Sequence, residues 1–173
     1  MDAKVGDGDT GTTFAHGAHA IAQQLTQQQL PLNDLPQLLL CIGERLAVVM
    51  GGSSGVLMSI FFTAAGQHLQ KGSTLIEALL NGLTQMKHYG GADLGDRTLI
   101  DALQPALLSW HKQHGIEASV HAAREGADRT ADMHKAGAGR SSYVNKQNLV
   151  SVPDPGAVAV AEVFTVLTEL DNK

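Results

Sequence analysis

An all-α fold is what this sequence predicts, on three observations. Apolar residues recur at helical spacing along most of the 173 residues. The glycine-bearing stretches fall between these periodic segments, where turns and helix starts belong. Aromatic residues make up 4% of the chain against 43% hydrophobic overall, so Leu, Ala, Val and Ile must fill the core. A chain this long buries roughly 70% of its unfolded surface, enough for one domain.

The first helix is expected over about 12–29, after a glycine- and threonine-rich opening turn. The second, about 35–49, follows Asn33-Asp34-Leu35-Pro36, where Asn33 or Asp34 can cap the free amides and Pro36 fits the first turn. In the third, about 54–70, Val56, Ile60, Phe61, Ala64 and Leu69 form one apolar face, which Leu57 and Phe62 widen toward complete burial. The fourth and fifth, about 75–89 and 99–113, open on similar segments, TLIEALLNGL at 74–83 and TLIDALQPAL at 98–107. Each has an acid three residues after its Thr, the capping-box arrangement. Two well-capped helices account for the likeness better than an internal repeat does. The sixth spans about 117–135, and a shorter piece lies near 141–148. The last, about 156–171, is rich in Val, but its length, its alanines and Glu162 make it helix rather than strand. With no linker or low-complexity stretch, a single domain over 1–173 is expected.

A net charge of −5 without a basic run argues against nucleic acid and against an anionic membrane surface as partners. The longest apolar stretch, around VLMSIFFTAAG, falls short of the ~18 residues of a membrane span, and no secretory signal opens the chain. Cys41, alone and inside LLLCIG, reads as a small buried hydrophobe of a reduced, cytoplasmic protein.

The chemistry-bearing segments are the glycine loops: VGDGDTGTT, GGSSG at 51–55, YGGADLGDRT at 89–98, AGAGRSS at 136–142 and PDPGA at 153–157. Gly, Ser and Thr just before a helix present backbone amides at the positive end of its dipole, a ready anion site. Asp7 and Asp9 sit one residue apart in a turn without Lys or Arg, so a cation should offset their repulsion. Calcium in an EF-hand does not fit, because the sixth position is Thr12 rather than Gly and the twelfth Ala18 rather than Glu. Magnesium does, taking a few carboxylates plus oxygens from phosphates, with Asp2 as a third carboxylate. No Walker A is present: GGADLGD has Asp96 where the lysine belongs. Hydroxyls, amides, metal and Arg97 or Arg140, the two arginines inside these loops, must then hold any phosphate. The histidine pairs His16/His19 and His111/His114 lack the zinc-protease form and a third ligand.

Taken in order, DAKVGDGDTGTT, GGSSGVLMSIF, YGGADLGDRTLIDAL, AGAGRSSYV and DPGAVAVAEV resemble the nucleotide-binding L domain of dihydroxyacetone kinases, over nearly the whole chain. GDGDTGTT with GGSSG is more similar to the ATP-dependent two-domain kinases than to the phosphotransferase-system subunit. The resemblance implies an antiparallel barrel of eight amphipathic helices binding ATP or ADP at one end. It places two magnesium ions on Asp2, Asp7 and Asp9, and phosphates at Thr10, Gly11, Thr12, Thr13, Ser53 and Ser54. Further nucleotide contacts fall on Gly90, Thr98, Leu99, Arg140, Asp154, Pro155 and Gly156, with Arg140 also the candidate catalytic group. The acceptor, dihydroxyacetone, would be held by a separate substrate (K) domain, which these residues do not contain. In the family a helix precedes the first aspartate, whereas here Met1 does, so an N-terminally truncated domain with seven long helices is expected. Its open barrel would expose an apolar groove and invite self-association, including a homodimer. Alternatives from the same motifs are an ADP-holding L-type adaptor subunit and the nucleotide domain of a fatty-acid kinase.

Overall fold

The computed structural model describes residues 10–112, 115–138 and 151–171. Among them are seven α-helices, a 3-10 turn and no strand: α1 Thr10–Thr26, α2 Leu35–Val49, α3 Gly52–Leu69, α4 Leu75–Gly90, α5 Ile100–His111, α6 Gly115–Arg129, the turn Thr130–Asp132 and α7 Pro155–Asp171. The short piece expected near 141–148 lies outside the described residues. The chain divides into two compact units, one of residues 12–90 and one of residues 1–11 with 91–173.

In the first unit, α2, α3 and α4 pack in sequence order around Leu39, Ala65 and Ala78, flanked by Phe62, Leu69, Leu75 and Leu79. Phe61 and Phe62 meet edge to face at 5.2 Å. Close approach is made on small residues: a Cβ at Gly43 would crowd Thr63, and one at Gly66 would crowd Leu40 and the Pro36 carbonyl. This shifts the buried face of α3 from the expected one. Gly55, Phe61, Ala65 and Gly66 are buried, Ile60 and Ala64 are half-buried, and Val56 stays 59% exposed. Tight helix contact favours the side with the smallest residues over the side with the most apolar ones. Cys41 is half-buried rather than buried, because it lies across α2 from Leu39, Gly43 and Leu46.

Helix ends follow local chemistry. Asp34 caps α2, accepting from the Gln37 amide at 3.1 Å, with Pro36 in the first turn. Helix α1 ends earlier than the periodicity suggests, because Gln28 turns left-handed (φ 55°) and Gln29 N donates back to Gln24 O at 2.9 Å. The Val-rich α7 is helical as expected.

The second unit's described helices are α5, α6 and α7. Pro105 inside α5 has no N–H for the Asp101 carbonyl. Gly126 of α6 lies directly against that carbonyl, where a Cβ would collide. Ala102, Ala106, Leu107, Ala123, Ala127, Ala157 and Phe164 supply buried apolar surface in this unit.

Candidate functional site

The loop 91–99 opens the second unit and takes left-handed backbone at Gly91 (φ 68°), Gly95 (φ 95°) and Arg97 (φ 60°). Glycine tolerates this; for an arginine it costs ~1 kcal/mol or more. The Arg97 side chain holds the conformation. It is 1% exposed, with Nε donating to Thr130 O at 3.2 Å and Nη2 to Val152 O at 2.5 Å. Burial lowers the Arg97 pKa, and the Asp154 carboxylate opposes that shift.

Asp101, in the first turn of α5 and 2% exposed, gives one oxygen to each side of Arg97. Its Oδ1 accepts from Gly95 N at 2.6 Å and its Oδ2 from Thr98 N at 2.8 Å. Thr98 Oγ1 in turn accepts from Ile100 N at 3.2 Å, which leaves the hydroxyl proton to point elsewhere. Asp96 fastens the other edge, accepting from Asp93 N at 2.7 Å through its side chain and from Gly137 N at 2.9 Å through its carbonyl.

The start of α7 is tied to the same knot. Thr130, fully buried, donates to Ala127 O at 2.5 Å and accepts from Asp154 N at 2.6 Å. Asp154 caps α7, its Oδ2 accepting from Ala157 N at 2.9 Å. Burial pushes the Asp154 carboxyl up to about 6, against the Ala157 amide bond and Arg97, which favour the charged form. Gly156 lies against Leu99, where a Cβ would stand 3.3 Å from the Leu99 Cβ. Residues 98–99 and 154–156, far apart in the chain, therefore form one site wall.

In the first unit, α3 begins at Gly52 without a side-chain cap, and Gly51, Gly52 and Ser53 are exposed. Gly90, at the end of α4, sits against Leu57, one turn beyond Ser53 and Ser54. Gly11, in the first turn of α1 and counted with Thr10 in the other unit, is exposed. A Cβ on Gly11 or on Gly51 would meet nothing within 4 Å, and neither has a positive φ. Packing and backbone conformation thus do not call for glycine at position 11, where glycine inside a helix costs ~1 kcal/mol relative to alanine, whereas at the α3 start Gly51 is an ordinary cap residue and Gly52 takes a left-handed φ of 65°. A bare first turn such as that of α1 fits a ligand that approaches the backbone itself, as phosphate does.

Of the residues singled out from sequence, Asp2, Asp7, Asp9 and Arg140 lie outside the described residues. Among the described residues no group of three or more His, Cys, Asp or Glu is placed to hold a metal. Ser53, Ser54 and Gly90 belong to one unit, where Gly90 meets Leu57, and Leu99 meets Gly156, beside Asp154, in the other. Arg97, considered as a phosphate holder, is instead a buried strut between backbone carbonyls. Thr130 and Val152 complete that strut and carried no sequence signal. Asp101 was visible only as a capping acid.

The described residues thus make an all-α protein with glycine-bearing stretches at several helix starts, where backbone amides suit anions, and no Walker lysine. The DAK2 domain model matches residues 4–169, and the chain belongs to that family. It is 61% identical over 170 residues to the dihydroxyacetone kinase of Citrobacter freundii, covering 98% of this chain and 31% of that protein. It is 39% identical over 182 residues to triokinase/FMN cyclase of Homo sapiens, covering 98% of this chain and again 31% of the relative. The crystal structure of the native C. freundii dihydroxyacetone kinase matches at a TM-score of 0.87 with 58% identity, over 97% of this chain and 30% of that one. The same kinase with AMP-PNP and Mg2+ matches at 0.83 with 56% identity, over 97% and 29%. The chain thus spans under a third of the length of these relatives. Among the described residues no helix is long and apolar enough to cross a membrane.

Proposed function

We propose that this chain is the nucleotide-binding domain of an ATP-dependent dihydroxyacetone kinase, presenting Mg–ATP to an acceptor held on a separate substrate domain. The similarity to a kinase solved with AMP-PNP and Mg2+ carries this reading, and Gly11 in the first turn of α1, which neither packing nor backbone conformation requires, supports it. In it, Asp2, Asp7 and Asp9 hold magnesium. The hydroxyls and amides of Thr10, Gly11, Thr12, Thr13, Ser53 and Ser54 bind phosphate oxygens. Gly90, Thr98, Leu99, Pro155 and Gly156 contact the rest of the nucleotide, and Arg140 meets the charge that develops on the transferring phosphoryl group. Asp154 already uses Oδ2 as a helix cap, so its nucleotide contact is through its other atoms. Magnesium, when bound, neutralises phosphate charge and so lets nucleotide approach carboxylates. Phosphoryl transfer relies on positioning and charge stabilisation, which is the part these residues supply. The dihydroxyacetone-binding domain is the expected partner, since the relatives are about three times longer than this chain. A cytoplasmic location and a homodimer complete the proposal.

Calorimetry with ADP, with and without magnesium, on the intact polypeptide that carries this domain tests it. Asp7→Asn and Asp9→Asn should each abolish magnesium-dependent binding while leaving the helical circular-dichroism signal in place. Unchanged affinity in both variants would remove the metal seat from these positions.

A further inference from the structure

We infer that Asp101 is a positioning residue for nucleotide binding: its two carboxylate oxygens hold the loop 91–99 in the shape that presents Thr98 and Leu99 to the ligand. The inference rests on the nucleotide-binding reading above and adds a residue that neither contacts nucleotide in that reading nor serves only as a helix cap.

A capping acid needs one oxygen for the amide that starts its helix. Asp101 makes that bond to Thr98 N and then reaches six residues back to Gly95 N with the other oxygen, at 2.6 Å. The second bond does nothing for the helix start. It spans Arg97 and closes a ring of backbone containing two left-handed residues, Gly95 and Arg97. Charged hydrogen bonds of this length in a buried site are strong and directional. With Thr98 N fixed by the carboxylate and Thr98 Oγ1 accepting from Ile100 N, the direction left for the Thr98 hydroxyl proton is set. Leu99, the next residue, is buried against Gly156, so the same ring also determines where the 154–156 wall sits beside it. Asn at this position can keep one of the two bonds. Its amide would face an amide donor at the other.

The experiment is a titration of Mg–ADP into the intact polypeptide for wild type, Asp101→Asn and Phe164→Leu, each at a temperature well below its own melting point. Phe164 is a buried core residue of α7 and serves as a control that loses stability without touching the loop. Asp101→Asn is expected to weaken Mg–ADP about tenfold or more, while Phe164→Leu leaves the affinity within about twofold of wild type. Equal affinity of folded Asp101→Asn and wild type overturns the inference. So does an equal loss in Phe164→Leu, because the effect would then follow stability alone. If wild type itself takes up no Mg–ADP, the nucleotide-binding reading fails and this inference with it, an outcome distinct from the previous two. Should Asp101→Asn not fold, Gly95→Ala decides. A Cβ there meets no atom within 4 Å but strains a φ of 95°, so it loosens the same ring from the exposed side. Gly95→Ala that is folded and binds Mg–ADP as wild type does overturns the inference equally.

Discussion

The segments TLIE at 74–77 and TLID at 98–101 read alike and are built for different work. At the start of α4, Glu77 Oε2 accepts from Thr74 N at 2.9 Å and from its hydroxyl at 2.8 Å, while Glu77 N donates to Thr74 Oγ1 at 3.4 Å. Both residues are exposed, and the bonds between them are the reciprocal ones that start a helix. At the start of α5 the acid is one methylene shorter and buried. Its reach is spent on two backbone amides, and its neighbour Arg97 is locked to carbonyls 33 and 55 residues further on. A longer, flexible glutamate would hold such a ring less firmly, since it has one more rotatable bond to restrain. One motif thus serves as local punctuation in a helix pair and as the keystone of a loop where a ligand is expected.

The contrast breaks most directly at Arg97. Arg97→Met keeps the volume but removes the guanidinium donor from Val152 O, leaves Thr130 O with the Met133 amide alone at 3.3 Å and takes the cation from beside Asp154. We expect a loss of ~3 kcal/mol or more in urea denaturation, the range for a buried charge network opened on one side. A loss below ~1 kcal/mol would show that water replaces the guanidinium and that the second box is as solvated as the first.

Asp154 sharpens the comparison through pH. Its carboxyl is held near 6 when folded, whereas an unfolded aspartate titrates near ~3.9. The folded state therefore binds the proton more tightly. The stabilisation this gives is fully present below pH ~4, is lost as pH rises toward ~6 and changes no further above that, a fall of ~3 kcal/mol at most. Asp154→Asn keeps a capping oxygen without the charge and should flatten that part of the stability curve in nucleotide-free protein. Denaturation midpoints at pH 4, 5, 6 and 7.5 for both proteins check this. Parallel curves would mean that the Asp154 carboxylate is as well solvated as an exposed one.

The smallest effect belongs to the exposed box. Glu77→Gln should cost ~0.5 kcal/mol or less, because the amide oxygen still accepts from Thr74 and the site is exposed. It should leave Mg–nucleotide affinity unchanged. A loss on the scale of Arg97→Met would erase the distinction between the two boxes.

What the chain's own chemistry determined was local. Helical spacing, the Asp34 cap, the two Thr–acid boxes and the Val-rich α7 needed only neighbours within a turn or two to be legible, because helices satisfy their hydrogen bonds within a few residues. The glycine loops were legible for the same reason, and with them most of the positions where phosphate is expected. Only the tertiary structure decided which face of α3 is buried, since that depends on whether Gly43 and Gly66 let backbones approach. It alone turned Arg97 from a phosphate candidate into a strut, because its acceptors are carbonyls at Thr130 and Val152, and a carbonyl has no sequence signature. It alone brought Gly156 against Leu99 and gave Asp101 its second amide. A buried polar group must find partners wherever the fold provides them, and that choice is not written at either residue.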